Sequence, residues 1–179
     1  MDITNLLKEN GFLEKLASQY GLDSTQVEEV VSKGLPEITK SINANTSTEN
    51  GLSSFMKALQ DHKDDPVDEM LADPNKVDTT DGSKILSHIL GDRKENLTNE
   101  LSQVQGLSAS SITGIFSSLA PILMGMLGKQ ATGGSSAGGG LLDSLLGSDS
   151  PVSKMGKSFL DKDKDGSFLD DLLGGIFKK

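Results

Sequence analysis

The hydrophobic residues of positions 1–130 recur at steps of three and four, the spacing that places side chains on one face of an α-helix. No stretch alternates apolar and polar residues over four or more positions, so the pattern does not indicate β-strands. It predicts an all-α fold, a small helical bundle of seven or eight helices. The apolar stripes lie at residues 3–7, 12–20, 27–42, 52–59, 67–71, 85–90, 97–104 and 112–127.

Individual residues predict where these helices begin, end or break. Asp23 can cap a helix, and Gln26 three residues later completes a capping box. Gly91 is a natural C-terminal stop after the stripe at 85–90. Pro36 lies in the middle of a stripe and is expected to kink or split its helix. The polar stretches 43–50 and 61–81 are predicted to be loops, the second one interrupted by a short helix at 67–71.

The domain contains an internal repeat. A shift of 85 residues places segment 12–42 on segment 97–127, which aligns the pair Gly21-Leu22 with Gly106-Leu107 and Pro36 with Pro121. Both copies are predicted to be a helix, a turn and a second helix, a duplicated helix-turn-helix-like unit. The second copy is the more apolar, so we expect it to supply the central helix or a face for self-association. The coinciding stripe residues are Phe12 with Leu97, Leu16 with Leu101, Val27 with Ile112, Val30 with Ile115, Val31 with Phe116, Ile38 with Leu123, and Ile42 with Leu127.

The first copy has the residue spacing of a helix-turn-helix DNA-binding motif, with a small residue at Ala17, a turn at Gly21 and a corner residue at Val27. A DNA reader also needs basic and amide side chains on its second helix. That helix begins with acidic residues that only Lys33 opposes, and the chain carries a formal net charge of -9. We therefore expect no nucleic-acid partner, and a helix-turn-helix nucleic-acid binder remains the third alternative.

A long uncharged stretch raises the question of membrane contact. Its strongly apolar part, residues 112–127, is shorter than a typical transmembrane helix and contains Pro121. A buried core helix is the favoured interpretation. The alternative is a membrane-associated protein that uses segments 112–127 and 141–146. The start of the chain lacks a basic, apolar export signal, so a cytoplasmic location is expected.

The C-terminal third differs in composition from the domain. Residues 131–150 are rich in Gly and Ser around a short apolar segment and are predicted to form a linker. Residues 151–179 form an Asp-rich tail that begins like an EF-hand calcium loop, with carboxylates at alternate positions and Gly166 at the sharp turn. Leu172 stands where the EF-hand has its bidentate Glu, so a shorter loop with weak calcium affinity is the hypothesis, and a simple helix cap at Ser167 is the alternative. The predicted metal ligands are Asp161, Asp163, Asp165, Ser167 and Asp170.

Four short stretches are distributed over nearly the whole length of the chain. They are LASQYGL at 16–22, ILSHILG at 85–91, LAPILMG at 119–125 and the tail at 160–173. In these stretches the chain resembles a bacterial family, the domain of unknown function 937, which includes the YidB-like proteins. The resemblance implies an all-helical bacterial protein, often with a Gly-rich and Asp-rich end, and no established enzymatic activity.

The remaining chemistry points away from catalysis. The chain has no Cys, which excludes disulfides and thiolate chemistry. His62 and His88 have no second histidine nearby in sequence and are interpreted as ordinary surface or hydrogen-bonded residues. We therefore expect a non-enzymatic helical protein that contacts a protein partner or itself, with calcium as its only candidate cofactor.

Overall fold

The computed structural model describes residues 3–103, 107–132, 145–147 and 149–152. Eight α-helices form within these residues and no strand occurs among them, so the predicted all-α fold is confirmed. A short 3-10 helix (Pro74–Lys76) lies between the fifth and sixth α-helices. The α-helices are α1 (Ile3–Glu9), α2 (Phe12–Tyr20), α3 (Ser24–Asn45), α4 (Glu49–His62), α5 (Val67–Ala72), α6 (Thr79–Leu90), α7 (Arg93–Leu101) and α8 (Ala109–Thr132).

Helix α8 is the central element of the bundle. It packs most extensively on α6 and α4, and it also contacts α3, α5 and α7. Its apolar residues face these neighbours on every side, as expected for a helix that is hydrophobic all round. The prediction that the second copy supplies the central helix is therefore correct. The buried residues of α8 are Ile112, Ile115–Gly125, Leu127 and Gly128.

Two glycines allow the neighbouring helices to approach α8 closely. A Cβ atom at Gly82 of α6 would lie 1.8 Å from the carbonyl oxygen of Ser117, and one at Gly128 would lie 2.3 Å from the carbonyl oxygen of Leu59 in α4. Neither distance is compatible with a real side chain. The two largest interfaces of α8 therefore depend on main chain packing directly against main chain.

The second helices of the two repeated segments, α3 and α8, begin at equivalent residues, Ser24 and Ala109, whereas α7 ends at Leu101, the equivalent of Leu16 within α2. In the first, α2 packs on α3, and in the second, α7 packs on α8. Asp23 and Gln26 form the predicted capping box at the start of α3, where the Asp23 N–H donates to Gln26 Oε1 at 3.0 Å. At the equivalent place, Ser108 Oγ accepts from the N–H of Ser111 at 3.0 Å. Each pair of coinciding stripe residues is buried in both copies, whereas Gly106 lies outside the described residues.

Neither proline splits its helix, so the break offered as one of the two expected outcomes does not occur. Helices α3 and α8 run without interruption through Pro36 and Pro121. A proline has no N–H for the carbonyl four residues earlier. In α8 that carbonyl belongs to Ser117 and packs against Gly82, and in α3 the corresponding turn lies at the exposed surface.

The predicted loops are shorter than expected. Helix α3 continues to Asn45 and α4 begins at Glu49, so most of the predicted loop at 43–50 is helical. Asn45 Nδ2 donates to the carbonyl of Ile89 at 2.7 Å, and Thr48 Oγ1 accepts from the N–H of Gly51 at 3.2 Å. These bonds stabilise the two helix ends, and the first joins residues too far apart in sequence for a local pattern to predict.

The acidic stretch 61–81 is also more ordered than a loop. Helix α4 extends to His62, the short helix predicted near 67–71 is α5, and α6 begins at Thr79. Asp78 caps α6, because its Oδ1 accepts from the N–H groups of Thr80 and Asp81 at 2.9 and 3.0 Å. Most of the stretch predicted to be a loop is therefore helical, and the buried side chain of Val67 anchors it to the core.

Candidate functional site

The five predicted metal ligands lie outside the described residues. The calcium hypothesis for Asp161, Asp163, Asp165, Ser167 and Asp170 therefore stays a prediction from sequence. Within the described part of the chain, no group of three or more His, Asp and Glu residues is arranged to hold a metal ion.

His62 is enclosed by two carboxylates. Its Nδ1 forms a hydrogen bond with Asp65 Oδ2 at 2.8 Å, and its Nε2 lies 3.7 Å from Asp81 Oδ2. The His62 side chain is 17% exposed, so this pairing links the end of α4 to the start of α6 in a partly sheltered position. His62 is thus a hydrogen-bonded structural residue, as the sequence suggested, and His88 is exposed.

The outer face of α3 is charged but internally paired. Lys33 Nζ lies 2.6 Å from Glu29 Oε1, and Lys40 pairs with Glu37. Glu28 receives Lys8 from α1 at 2.9 Å. Both lysines of α3 are therefore occupied by glutamates of the same helix. Ala17 and Val27 are buried and Gly21 has a φ of 64°, so the helix-turn-helix spacing serves packing of α2 on α3.

Helix α8 contains the segment that could cross a membrane. Residues Ala109–Ala131 are long and apolar enough to cross a bilayer, and 78% of their most apolar window is buried inside the protein. Core helices of water-soluble bundles commonly meet the same criteria of length and hydropathy. The burial favours the core interpretation over a spanning one.

The corner formed by α5 and the 3-10 helix carries the clearest electrostatic shifts. Lys76 Nζ donates to Glu69 Oε2 at 2.8 Å, and this hydrogen bond together with the opposite charge lowers the pKa of Glu69 and raises the pKa of Lys76. The Asn75 main-chain N–H, followed by its side-chain amide, lowers the pKa of Asp73. Glu69 and Lys76 are exposed, so their pairing is screened by solvent and has a small effect on stability.

Two surface grooves of the described residues are wide open and have mixed polar and apolar linings. One lies on α6 and is lined by Thr79, Ser83, Lys84 and Ser87. Another lies between α2 and the 3-10 helix, with Lys15, Gln19 and Asp73 at its edge. Ligand pockets are usually deep and largely apolar. Neither groove has those features.

A different feature stands out, a short segment that returns to the bundle after α8. We call residues 145–147 and 149–152 the docked segment. Leu146 is 3% exposed and Val152 is 1% exposed, and both belong to the hydrophobic core. Between them, the Ser150 N–H donates to the carbonyl of Gly147 at 3.1 Å, closing a turn in which Gly147 has a φ of 86°. The turn lets two aliphatic residues point into the bundle together.

Asn43 fixes the main chain of the docked segment. Its Nδ2 donates to the carbonyl of Leu146 at 2.9 Å. Its Oδ1 is buried and is the one such side-chain atom without a hydrogen-bond partner among the described residues. Asn43 and Asn45 therefore both use their amides at the end of α3 to hold main-chain carbonyls from elsewhere in the chain.

Sequence reasoning found only part of this site. It predicted a short apolar segment within 131–150 and offered membrane contact for 141–146, and the structure buries Leu146 in the bundle. It gave no role to Asn43 or Val152. Asn43 lies in a stretch predicted to be a loop, and only its tertiary neighbours reveal its role. The sequence feature that could have indicated Val152 is the Pro151-Val152 pair, which follows a stretch of residues that favour turns.

Comparison with known protein families places most of the chain in a family match. The model of a family described as "Bacterial protein of unknown function (DUF937)" matches residues 6–130, which is more than half of the chain. The matched range ends inside α8, so the docked segment lies beyond it. No curated protein and no solved structure matches the chain.

Proposed function

The chain belongs to the bacterial DUF937 family, and from that premise we propose that it is a non-enzymatic helical interaction protein of the cytoplasm. Its task would be to bind a protein segment rather than to transform a small molecule. The family description names no activity. The proposed role therefore goes beyond family membership and depends on the contacts described above.

One observation carries the proposal: the bundle holds a short segment from outside its family-matched region. Leu146 and Val152 enter the core, and Asn43 holds the Leu146 carbonyl. Apolar anchors combined with a main-chain hydrogen bond are the elements by which domains recognise peptides. A bundle surface that accepts this segment has the chemistry to accept a similar one from a partner.

The polar chemistry of the described residues supports an interaction role over a catalytic one. His62, the best-placed acid–base group, is engaged by Asp65 and flanked by Asp81. A catalytic site requires such a group to reach a substrate in a pocket. Here the carboxylates and the imidazole pair with each other and join α4 to α6.

Affinity capture tests the proposed function. The full chain, tagged at its N-terminus, is cross-linked in the native bacterium and purified, with the Leu123→Asp variant as an unfolded control. We expect at least one protein to be enriched with the wild type and not with the control. Equal recovery from both baits would contradict an interaction role.

We also propose that the tail at 151–179 binds calcium weakly. Alternating carboxylates with a glycine at the sixth position suit a hard cation, and the missing bidentate Glu predicts low affinity. Calorimetry of the full chain with calcium should give a signal that the double variant Asp161→Ala, Asp163→Ala loses. Equal heats from the two proteins at millimolar calcium would leave only the helix-cap interpretation.

Membrane association is the second candidate, favoured by the length and hydropathy of α8. Cell fractionation separates it from the cytoplasmic proposal. We expect the protein in the high-speed supernatant. Sedimentation with membranes that persists in high salt would favour the alternative.

A further inference from the structure

We infer that the docked segment is a built-in competitor, which occupies a recognition site for a short apolar segment of a partner protein. The inference deepens the proposed function by naming the site and the class of ligand. The site comprises the Asn43 amide at the C-terminal end of α3 and the apolar surface that buries Leu146 and Val152.

The site recognises two kinds of group at once. Two aliphatic anchors six residues apart enter the core, and the turn closed by Gly147 and Ser150 brings them to the same side. The Asn43 amide reads the main chain between them. A ligand therefore needs two aliphatic side chains around a turn and a free main-chain carbonyl on the first anchor itself.

Oδ1 of Asn43 is buried without a hydrogen-bond donor among the described residues, so this amide has one bond left to offer a ligand. Burying an acceptor without a donor is costly, because the atom loses its bonds to water. Among the described residues, the segment supplies an acceptor to Nδ2 and no donor to Oδ1. A partner segment that donates an N–H or O–H group to Oδ1 would bond both Oδ1 and Nδ2 of Asn43. Such a segment would bind more tightly than an untethered copy of the docked segment.

The covalent connection compensates for this deficiency. Residues 133–144 join α8 to the docked segment, and a short tether keeps an attached ligand at an effective concentration of about 1 mM. A partner segment must therefore either bind considerably better or arrive when the docked segment is loosened.

A peptide-binding experiment on the full chain tests the inference. The probe is a fluorescent peptide that copies residues 143–154, followed by anisotropy. The double variant Leu146→Asp, Val152→Asp should release the docked segment and bind the peptide at least 10-fold more tightly than the wild type. Gly147→Ala should do the same to a smaller degree, because a side chain at a φ of 86° strains the turn.

Three controls decide the outcome. Ala44→Asp, at an exposed position beside Asn43, should leave peptide affinity at the wild-type value. Adding Asn43→Asp to the released variant should weaken binding, because a carboxylate cannot donate to the Leu146 carbonyl. Hydrogen exchange should show faster exchange at 145–152 in the released variant while its thermal midpoint stays within a few degrees of the wild type.

Two results would overturn the inference. The released variant and the wild type could show equal peptide affinity, which would mean that the segment covers no recognition site. Alternatively, the wild-type mass in solution could double with concentration and the released variant stay monomeric, which would assign the site to exchange between two copies. Either result leaves the capture experiment free to find a partner on another face.

Discussion

Helices α3 and α8 occupy equivalent places in the two copies of one helical unit, yet their surroundings differ. Each begins at a capped turn, carries a proline at the same position and buries the same stripe. Helix α3 keeps a charged outer face with Lys33, Glu29 and Glu37, whereas α8 is buried on all sides along most of its length.

The matched serines show the contrast at a single pair of positions. Ser32 in α3 and Ser117 in α8 are 85 residues apart, and Ser32 is exposed while Ser117 is 3% exposed. The stripe that both copies share forms the helix-turn-helix unit. The character of the opposite face decides which copy other helices can surround, because a charged face cannot be covered without losing its hydration.

The largest expected effect comes from placing a charge in the core of α8. Leu123→Asp should lower the free energy of unfolding by about 5 kcal/mol, comparable to the stability of a whole small domain. Circular dichroism during heating measures the change. Leu123→Met, which conserves volume, is the control and should stay close to wild type. An unchanged midpoint for the Asp variant would place this face of α8 outside the core.

The matched serines provide the sharpest test of the comparison. Ser117→Asp should destabilise by about 3 kcal/mol, because a carboxylate is buried where the hydroxyl now packs. Ser32→Asp should change the free energy of unfolding by less than about 0.5 kcal/mol at its exposed position. Urea denaturation measures both values. Similar losses at the two sites would show that the copies are buried alike.

The close contact of α6 with α8 is the next most sensitive feature. Gly82→Ala should destabilise by about 2 kcal/mol, because the new Cβ would overlap the Ser117 carbonyl. At an exposed helical position the same change would stabilise by about 1 kcal/mol. The sign of the measured change therefore reports the contact, with Lys84→Ala as a neutral neighbour. A gain in stability would mean that the two helices are farther apart.

The helix caps should behave alike in the two copies. Asp23→Ala and Ser108→Ala each remove a capping side chain and should each cost about 1 kcal/mol. Thermal unfolding compares the two, and Ser54→Ala, at an exposed position within α4, provides the control. A loss of stability in only one of the two variants would indicate that only that helix is stabilised by its capping side chain.

The smallest expected effect is the pH dependence of stability that comes from the Glu69–Lys76 pair, which lies outside both repeated segments. The pKa of Glu69 is lowered by Lys76, so the pairing stabilises above the ordinary glutamate pKa and is lost as pH falls through the lowered value. The pKa of Lys76 is raised, so its contribution is present below the ordinary lysine pKa and is lost as pH rises through the raised value.

NMR titration of the Glu69 carboxyl carbon measures this pairing directly. Its midpoint should lie below that of an ordinary glutamate and return towards it in Lys76→Met. The same midpoint in both proteins would show that the exposed pair does not persist in solution.

The sequence alone determined most of the local structure. Periodic apolar residues, the Asp23–Gln26 box and the repeat of Gly-Leu and Pro at one shift predicted an all-α fold with a duplicated unit and a central second copy. These features act within one helix or one turn, so adjacent residues specify them. The same reasoning made the 43–50 loop too long and allowed prolines to split helices, because local patterns contain no information on what packs against a carbonyl.

Only the tertiary structure decided where the chain meets itself. The Asn45 bond to Ile89, the Gly82 contact with Ser117 and the Asn43 bond to Leu146 each join residues far apart in sequence. A polar residue at the end of a helix and a leucine after a glycine-rich stretch are each compatible with many surroundings. Their roles depend on main-chain groups that folding brings within hydrogen-bond distance, and no single stretch of sequence encodes that proximity.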